Sequence, residues 1–182
     1  MKTTKWVLDP THSELSFKIR HLMISNVSGS IKDFQVSAET RDDDFSTAQI
    51  SVVGDMASVS TNQEQRDTHL RTADFFEVEK HPQFQFKSTR IEKAGDGTFA
   101  LYGDLTLKGI TKPVQLNVEF NGIAKDPWGN EKAGFLITGR INRSEWGVNF
   151  NGVLETGGVM LSDEIKINSE IQMVKQVAPV PA

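Results

Sequence analysis

VQLNVEFNG, residues 114–122, alternates without a break: Val114, Leu116, Val118 and Phe120 fall on one side of an extended chain, and Gln115, Asn117, Glu119 and Asn121 on the other. Successive side chains of a strand point to opposite faces, so period two marks a strand with one buried and one solvated face. The pattern spreads outward in both directions. Upstream it recurs at Leu15, Phe17 and Ile19 with His21 in phase, at Phe34, Val36 and Ala38, at Phe84 and Phe86, and at Phe99, Leu101, Gly103, Leu105 and Leu107. Downstream it continues through Ala133, Phe135, Ile137, Gly139 and Ile141, and then Ile165, Ile167, Ile171 and Met173. AQISVVGDMASV (48–59) is apolar on both faces, which predicts a strand covered on its outer side or kinked near Gly54.

Turn residues separate the strands at hairpin distances. Asp96-Gly97 suits a two-residue hairpin, Lys108-Gly109 and Lys112-Pro113 bracket a longer loop, and Asp126-Pro127-Trp128-Gly129 reads as another reversal. Consecutive strands should then pair antiparallel. About eight such strands avoid exposed edges by closing into an up-and-down barrel, which is favoured here over a stacked sandwich. Its interior can be filled by side chains or can hold a small ligand. Gly103, Gly109, Gly129 and Gly147 read as turn or bulge positions, and Arg143, in INRSEWG, as a structural residue holding a turn beside Trp146.

One segment breaks the period. In TNQEQRDTHLRTADFF (61–76), Thr61 and Glu64 have capping-box spacing, which predicts a short helix from about Asn62. Arg66 and Leu70 share a face of that helix, whereas Asp67 and His69 diverge, so the pair is not arranged for joint metal or acid–base work. A helix carrying Phe75 and Phe76 at its exit, inserted into a run of strands, suits a cover over a barrel mouth.

Composition narrows the function classes. A net charge of −4 on 182 residues, with both signs interspersed and no basic run, argues against a nucleic-acid partner or an anionic membrane surface. The chain has no cysteine, so disulfides, thiolate nucleophiles and cysteine-ligated zinc are excluded. No apolar run reaches the roughly 18 residues of a membrane helix, so stable membrane insertion is not expected. The N-terminal apolar stretch, Trp6 to Leu8, is shorter than the roughly 7–15 residues of a secretory leader. The expected location is therefore cytoplasmic, or periplasmic for a processed form. One domain over residues 1–174 and a disordered, proline-rich tail at 175–182 complete the expected organisation.

Several motifs occur together. WVLDPTHSELSFKIRHLMISNVSGSI (6–31), SVSTNQEQRDTHLRTADFFEVEKHPQFQFKSTRI (58–91), LYGDLTLKGITKPVQLNVEF (101–120), INRSEWGV (141–148) and LSDEIKINSEI (161–171) closely resemble the YceI-like family of polyisoprenoid-binding proteins. The resemblance runs from Trp6 to about Met173. It implies an all-β, extended eight-stranded antiparallel lipocalin-like barrel, with a short helix over one end and an apolar tunnel for a long isoprenoid. It also implies a carrier or storage protein, and a periplasmic location in many members. The ligand would be a polyprenyl diphosphate, an isoprenoid quinone or a similar lipid, with no cofactor and no metal.

Under that reading the candidate lining is Phe17, Ile19, Phe34, Phe84, Phe86, Leu101, Leu105, Leu116, Val118, Phe120, Phe135 and Ile167, each of which could equally pack the core. His21 could orient a head group at the mouth or serve as a hydrogen-bonded structural histidine. Arg66 and His69 could receive a pyrophosphate or quinone oxygen, or pin the helix to the barrel through ion pairs. No catalytic residue is assigned. GxSxG, HExxH, Walker and dinucleotide motifs are absent, and His12, His21, His69 and His81 show no ligand spacing. The alternatives are a metal-dependent or cofactor-free enzyme acting at the barrel mouth, and an interaction module. The sequence leaves monomer and homodimer open.

Overall fold

Alternating strands bury one face only if something covers it, and this chain solves the problem by curling the sheet onto itself. The computed structural model describes residues 2–22, 24–151 and 160–176. Their strands are β1 (Thr3–Leu8), β2 (Leu15–His21), β3 (Ser25–Ile31), β4 (Phe34–Arg41), β5 (Asp44–Asp55), β6 (Val59–Ser60), β7 (Gln83–Gly95), β8 (Thr98–Leu107), β9 (Ile110–Lys125), β10 (Glu131–Asn142) and β11 (Leu161–Lys175), with one α-helix, α1 (Glu64–Leu70). Neighbours run β1-β4-β5-β7-β8-β9-β10-β11, and β11 pairs back to β1, which closes an eight-stranded antiparallel barrel.

The topology is less simple than up-and-down. β10 occupies one edge of β11 along most of its length, from Lys132↔Val174 to Asn142↔Glu164. On the other edge, β1 pairs with the C-terminal part (Leu8↔Met173) and β2 with the N-terminal part (Ile167↔Phe17). β3 and then β6 extend β2 outward, so β2 and β3 form a flap beside the upper end of the barrel. The segment from α1 to His81 lies at that same upper end.

Local differences from the sequence reading have simple causes. No bulge or kink interrupts the pairing of β4 with β5 near Gly54. A Cβ there would lie 2.0 Å from the Phe84 ring, so the glycine makes room for an inward phenylalanine. Lys108-Gly109 is itself the turn between β8 and β9, and Lys112-Pro113 lies within β9. Pro113 sits beyond the last β9–β10 pair, Leu116↔Gly139, where its missing N–H interrupts no ladder on that side. The cap of α1 is Gln63, whose side chain accepts from the Arg66 N–H, rather than Thr61. Lys175 belongs to β11 and the Gln176 N–H donates to the Lys5 carbonyl, while the expected tail at 177–182 lies outside the described residues.

The lower end is tied by charge. Asp9 is buried and accepts from Lys132 Nζ (2.7 Å), Thr11 N (3.1 Å) and Thr11 Oγ1 (2.6 Å), with His12 Nδ1 at 2.9 Å. Burial acts to raise its pKa, but the hydrogen bonds from Lys132, Thr11 and His12 outweigh it and hold the carboxyl well below the usual range. A pKa depressed in the folded state stabilises the fold above the unfolded value near 4, and the contribution is lost as pH falls toward the folded value. Asp9→Asn is therefore expected to lower Tm at neutral pH and to flatten the fall in Tm between about pH 5 and pH 3. Equal pH slopes for parent and variant in thermal melts would contradict this.

Candidate functional site

The inward stripes enclose a cavity of about 160 Å³. Phe84, Phe86, Leu101, Leu105, Leu116, Val118, Phe135 and Ile167 line it, together with Phe45, Phe99, Ile91 and Ile137. Among the described residues no charged side chain does. The single polar side chain of the lining, Ser169, is engaged with the backbone of Ser16, accepting from its N–H at 3.0 Å and facing its carbonyl at 3.3 Å. Cavities of this size and lining stay dry and accept apolar guests as large as benzene.

An aromatic cluster floors the cavity. Phe45 has ring-centroid distances of 4.9 Å to Trp6, 5.2 Å to Phe120 and 4.9 Å to Phe135, and Phe120 stacks on Phe135 at 5.3 Å. Phe120 thus belongs to the floor rather than to the cavity wall, and Phe34 is buried in the surrounding core without lining either chamber. Phe45 follows the acidic run Asp42-Asp43-Asp44, where no alternation announces it.

A second chamber, of about 270 Å³, lies above, between the β2–β3 flap and the α1 segment. Phe17, Ile19, His21, Arg66 and His69 all line it, beside Leu70, Phe75, Phe76, Val148 and Phe150. The two chambers adjoin along β2 and β11, where Leu15 and Ile167 face the barrel cavity and Phe17 and Ile165 face the upper one. Phe17 stands at the junction, its ring over Gly29, where a Cβ would come within 2.5 Å of the ring. That glycine keeps the junction aromatic.

The polar groups of the upper chamber are mostly committed. Arg66 donates from Nε to Thr61 Oγ1 (2.7 Å) and from Nη2 to the Thr61 carbonyl (2.9 Å), while Asp67, buried, accepts from Thr61 N (2.7 Å) and Oγ1 (2.6 Å). Arg66 therefore pins the helix by hydrogen bonds rather than by an ion pair. His69 Nε2 lies 2.8 Å from Asp74, and its ring packs edge-on against Phe75 and Phe150. Asp67 and His69 point apart, as the helical spacing requires. Arg143 is 4% exposed and donates to the carbonyls of Ser162 (3.0 Å), Val148 (3.0 Å) and Phe150 (2.8 Å). Burial pulls its pKa below the ordinary value and the charge of Asp163 opposes this, so the guanidinium stays protonated at neutral pH. The sequence marked Arg143 as a turn residue; the chamber it borders is assembled from segments distant in the chain. Among the described residues no three metal-ligating side chains converge.

The chemistry available is that of an apolar cavity adjoining a chamber that carries hydrogen-bond donors. A family model described as the YceI-like domain matches residues 6–173. A UPF0312 protein of Staphylococcus aureus (strain USA300) is 39% identical over 170 residues, which cover 93% of this chain and 96% of that protein. The crystal structure of a Campylobacter jejuni YceI protein, 34% identical, superposes with a TM-score of 0.74 over 93% of this chain and 97% of that one. A polyisoprenoid-binding domain from Saccharophagus degradans shares the fold at 15% identity, with a TM-score of 0.64 over 94% of this chain and 98% of that one.

Proposed function

Since the chain belongs to the family of YceI-like domains, we propose that its barrel binds a long-chain isoprenoid lipid, such as a polyprenyl diphosphate or an isoprenoid quinone, for transport or storage. The observation that supports this reading is the adjacency of the two chambers: a cavity lined by apolar side chains stands on the aromatic floor, and the chamber next to it is bordered by Arg66, His69 and His21. Each five-carbon unit drawn from water gains about 4 kcal/mol at roughly 0.8 kcal/mol per buried CH₂, before the cost of ordering the chain. Affinity then grows with length and needs few polar contacts. The head group would rest at the mouth, where the guanidinium and imidazole donors favour an electron-rich oxygen. Among the described residues no acid–base side chain reaches the apolar cavity, which supports binding rather than turnover, and the reading requires no cofactor.

The cavity admits the end of a hydrocarbon chain, and a longer guest needs the α1 segment to yield. Mass spectrometry of an organic extract of the purified protein is expected to show a prenyl lipid. An empty extract, with no uptake of added prenyl alcohol by the delipidated protein, would overturn the proposal.

A further inference from the structure

The β2–β3 hairpin carries cations without acids along its own two strands, and an exposed apolar residue at its tip. From Leu15 to Lys32 there is no aspartate or glutamate, in a chain whose net charge is −4, while Lys18, Arg20 and Lys32 are present. On the outer face the cations line up across strands: Arg140 of β10 is paired with Lys166 of β11, and Lys166 with Lys18 of β2. Directly opposed like charges destabilise a sheet. Glu164 pairs with Arg140 at 3.7 Å, and Glu14 and Glu170 border the same outer groove as Lys18, yet among the described residues neither Lys18 nor Lys166 forms a salt bridge with an acid.

The tip is equally unfavourable. A turn closed by the Ile24 N–H on the His21 carbonyl (3.2 Å) holds Leu22 at φ +53°, a left-handed conformation that suits asparagine or glycine. Ile24 is 81% exposed. The turn does not favour a half-buried leucine at this left-handed position, and water does not favour the exposed Ile24. The tip also borders the upper chamber: Leu22 donates to the carbonyl of Met160 at 2.8 Å, and His21, Val27 and Met160 line that chamber.

We infer that the β2–β3 hairpin is a peripheral docking element for an anionic phospholipid surface, which brings the mouth of the barrel against the bilayer. Leu22 and Ile24 enter the acyl boundary. Lys18, about 13 Å back along the strand at roughly 3.3 Å per residue, and Lys166 opposite it face the headgroups with their long side chains. The contact is superficial, and no helix among the described residues is long and apolar enough to cross a bilayer. The docking surface does not depend on which ligand fills the barrel.

Flotation with equimolar phosphatidylcholine–phosphatidylglycerol vesicles, compared with pure phosphatidylcholine vesicles, tests this. The protein is expected to float with the anionic vesicles, with severalfold weaker binding to the neutral ones. The double variant Leu22→Asn/Ile24→Ser should lose about tenfold in vesicle affinity. Asparagine suits the left-handed position, so its circular dichroism and its binding of a fluorescent prenyl alcohol from detergent should match the parent. Lys18→Gln/Lys166→Gln should remove the preference for anionic vesicles. Trp128→Ser, at an equally exposed position on the β9–β10 turn at the opposite end, should float as the parent does. Four outcomes overturn the inference: no flotation of the parent, parental flotation of the tip variant, release by Trp128→Ser, or a tip variant that changes the sedimentation mass of the free protein through the open edge of β3 instead of changing its vesicle binding.

Discussion

Val118→Trp is expected to weaken binding of a fluorescent prenyl alcohol on the order of a hundredfold while the delipidated protein keeps most of its Tm. Val118 is 6% exposed in mid-strand, paired with Phe99 of β8 and Ile137 of β10, and all three border the barrel cavity. In a close-packed interior an indole at this position forces neighbours off their rotamers, at about 1–3 kcal/mol or more. Here it has empty space to enter, and the space it takes is the length of bore that would hold the deepest isoprene unit. Melting and binding must be measured on the same delipidated sample, because bound ligand by itself raises Tm. A variant that binds as the parent does would show that the guest never reaches Val118, and one that unfolds would show that the cavity has no slack.

Arg143→Leu is expected to cost about 3 kcal/mol or more, a fall in Tm of roughly 10 °C. The buried guanidinium serves three carbonyls at once, those of Ser162, Val148 and Phe150. Each acceptor left unpaired in the interior costs about 1–3 kcal/mol, and relief from burying a charge returns only part of this. Arg143→Lys keeps the charge but not the fork that spans the set, so it should recover little. Because these carbonyls hold Phe150 against His69 and Phe75, the variant should also speed ligand loss. A Tm within about 3 °C of the parent would remove Arg143 from the upper wall.

These two residues also mark how far the sequence could be read. Val118 was legible because strand alternation is local: its neighbours at 116 and 120 are enough to place it inward. The same holds for Phe84, Phe86, Leu101 and Leu105, and for the covering helix, whose break in period is a local event. The helix cap was misassigned because Thr61 has the right spacing, yet Asp67 draws both its N–H and its hydroxyl inward. The division of β11's edge between β1 and β2 could not be read, since both partners lie more than a hundred residues away and either would satisfy the same alternation. Phe120 carries the right phase and still leaves the cavity wall, because its ring packs on Phe45 and on its register partner Phe135, and those two rings take the wall. The upper chamber depended on side chains from the helix, the flap and the 143–150 turn meeting in space, which no window of sequence contains.

The floor made by Phe45, Phe120, Phe135 and Trp6 turns the barrel into a tube with one open end. Whatever threads it must back out by the way it came, last segment first, so residence time rises with inserted length as it does for a rope drawn from a sleeve. The depth of the floor acts as a ruler: a chain shorter than the bore disappears inside it, and a longer one keeps its surplus outside, where an enzyme or a membrane can take hold of it.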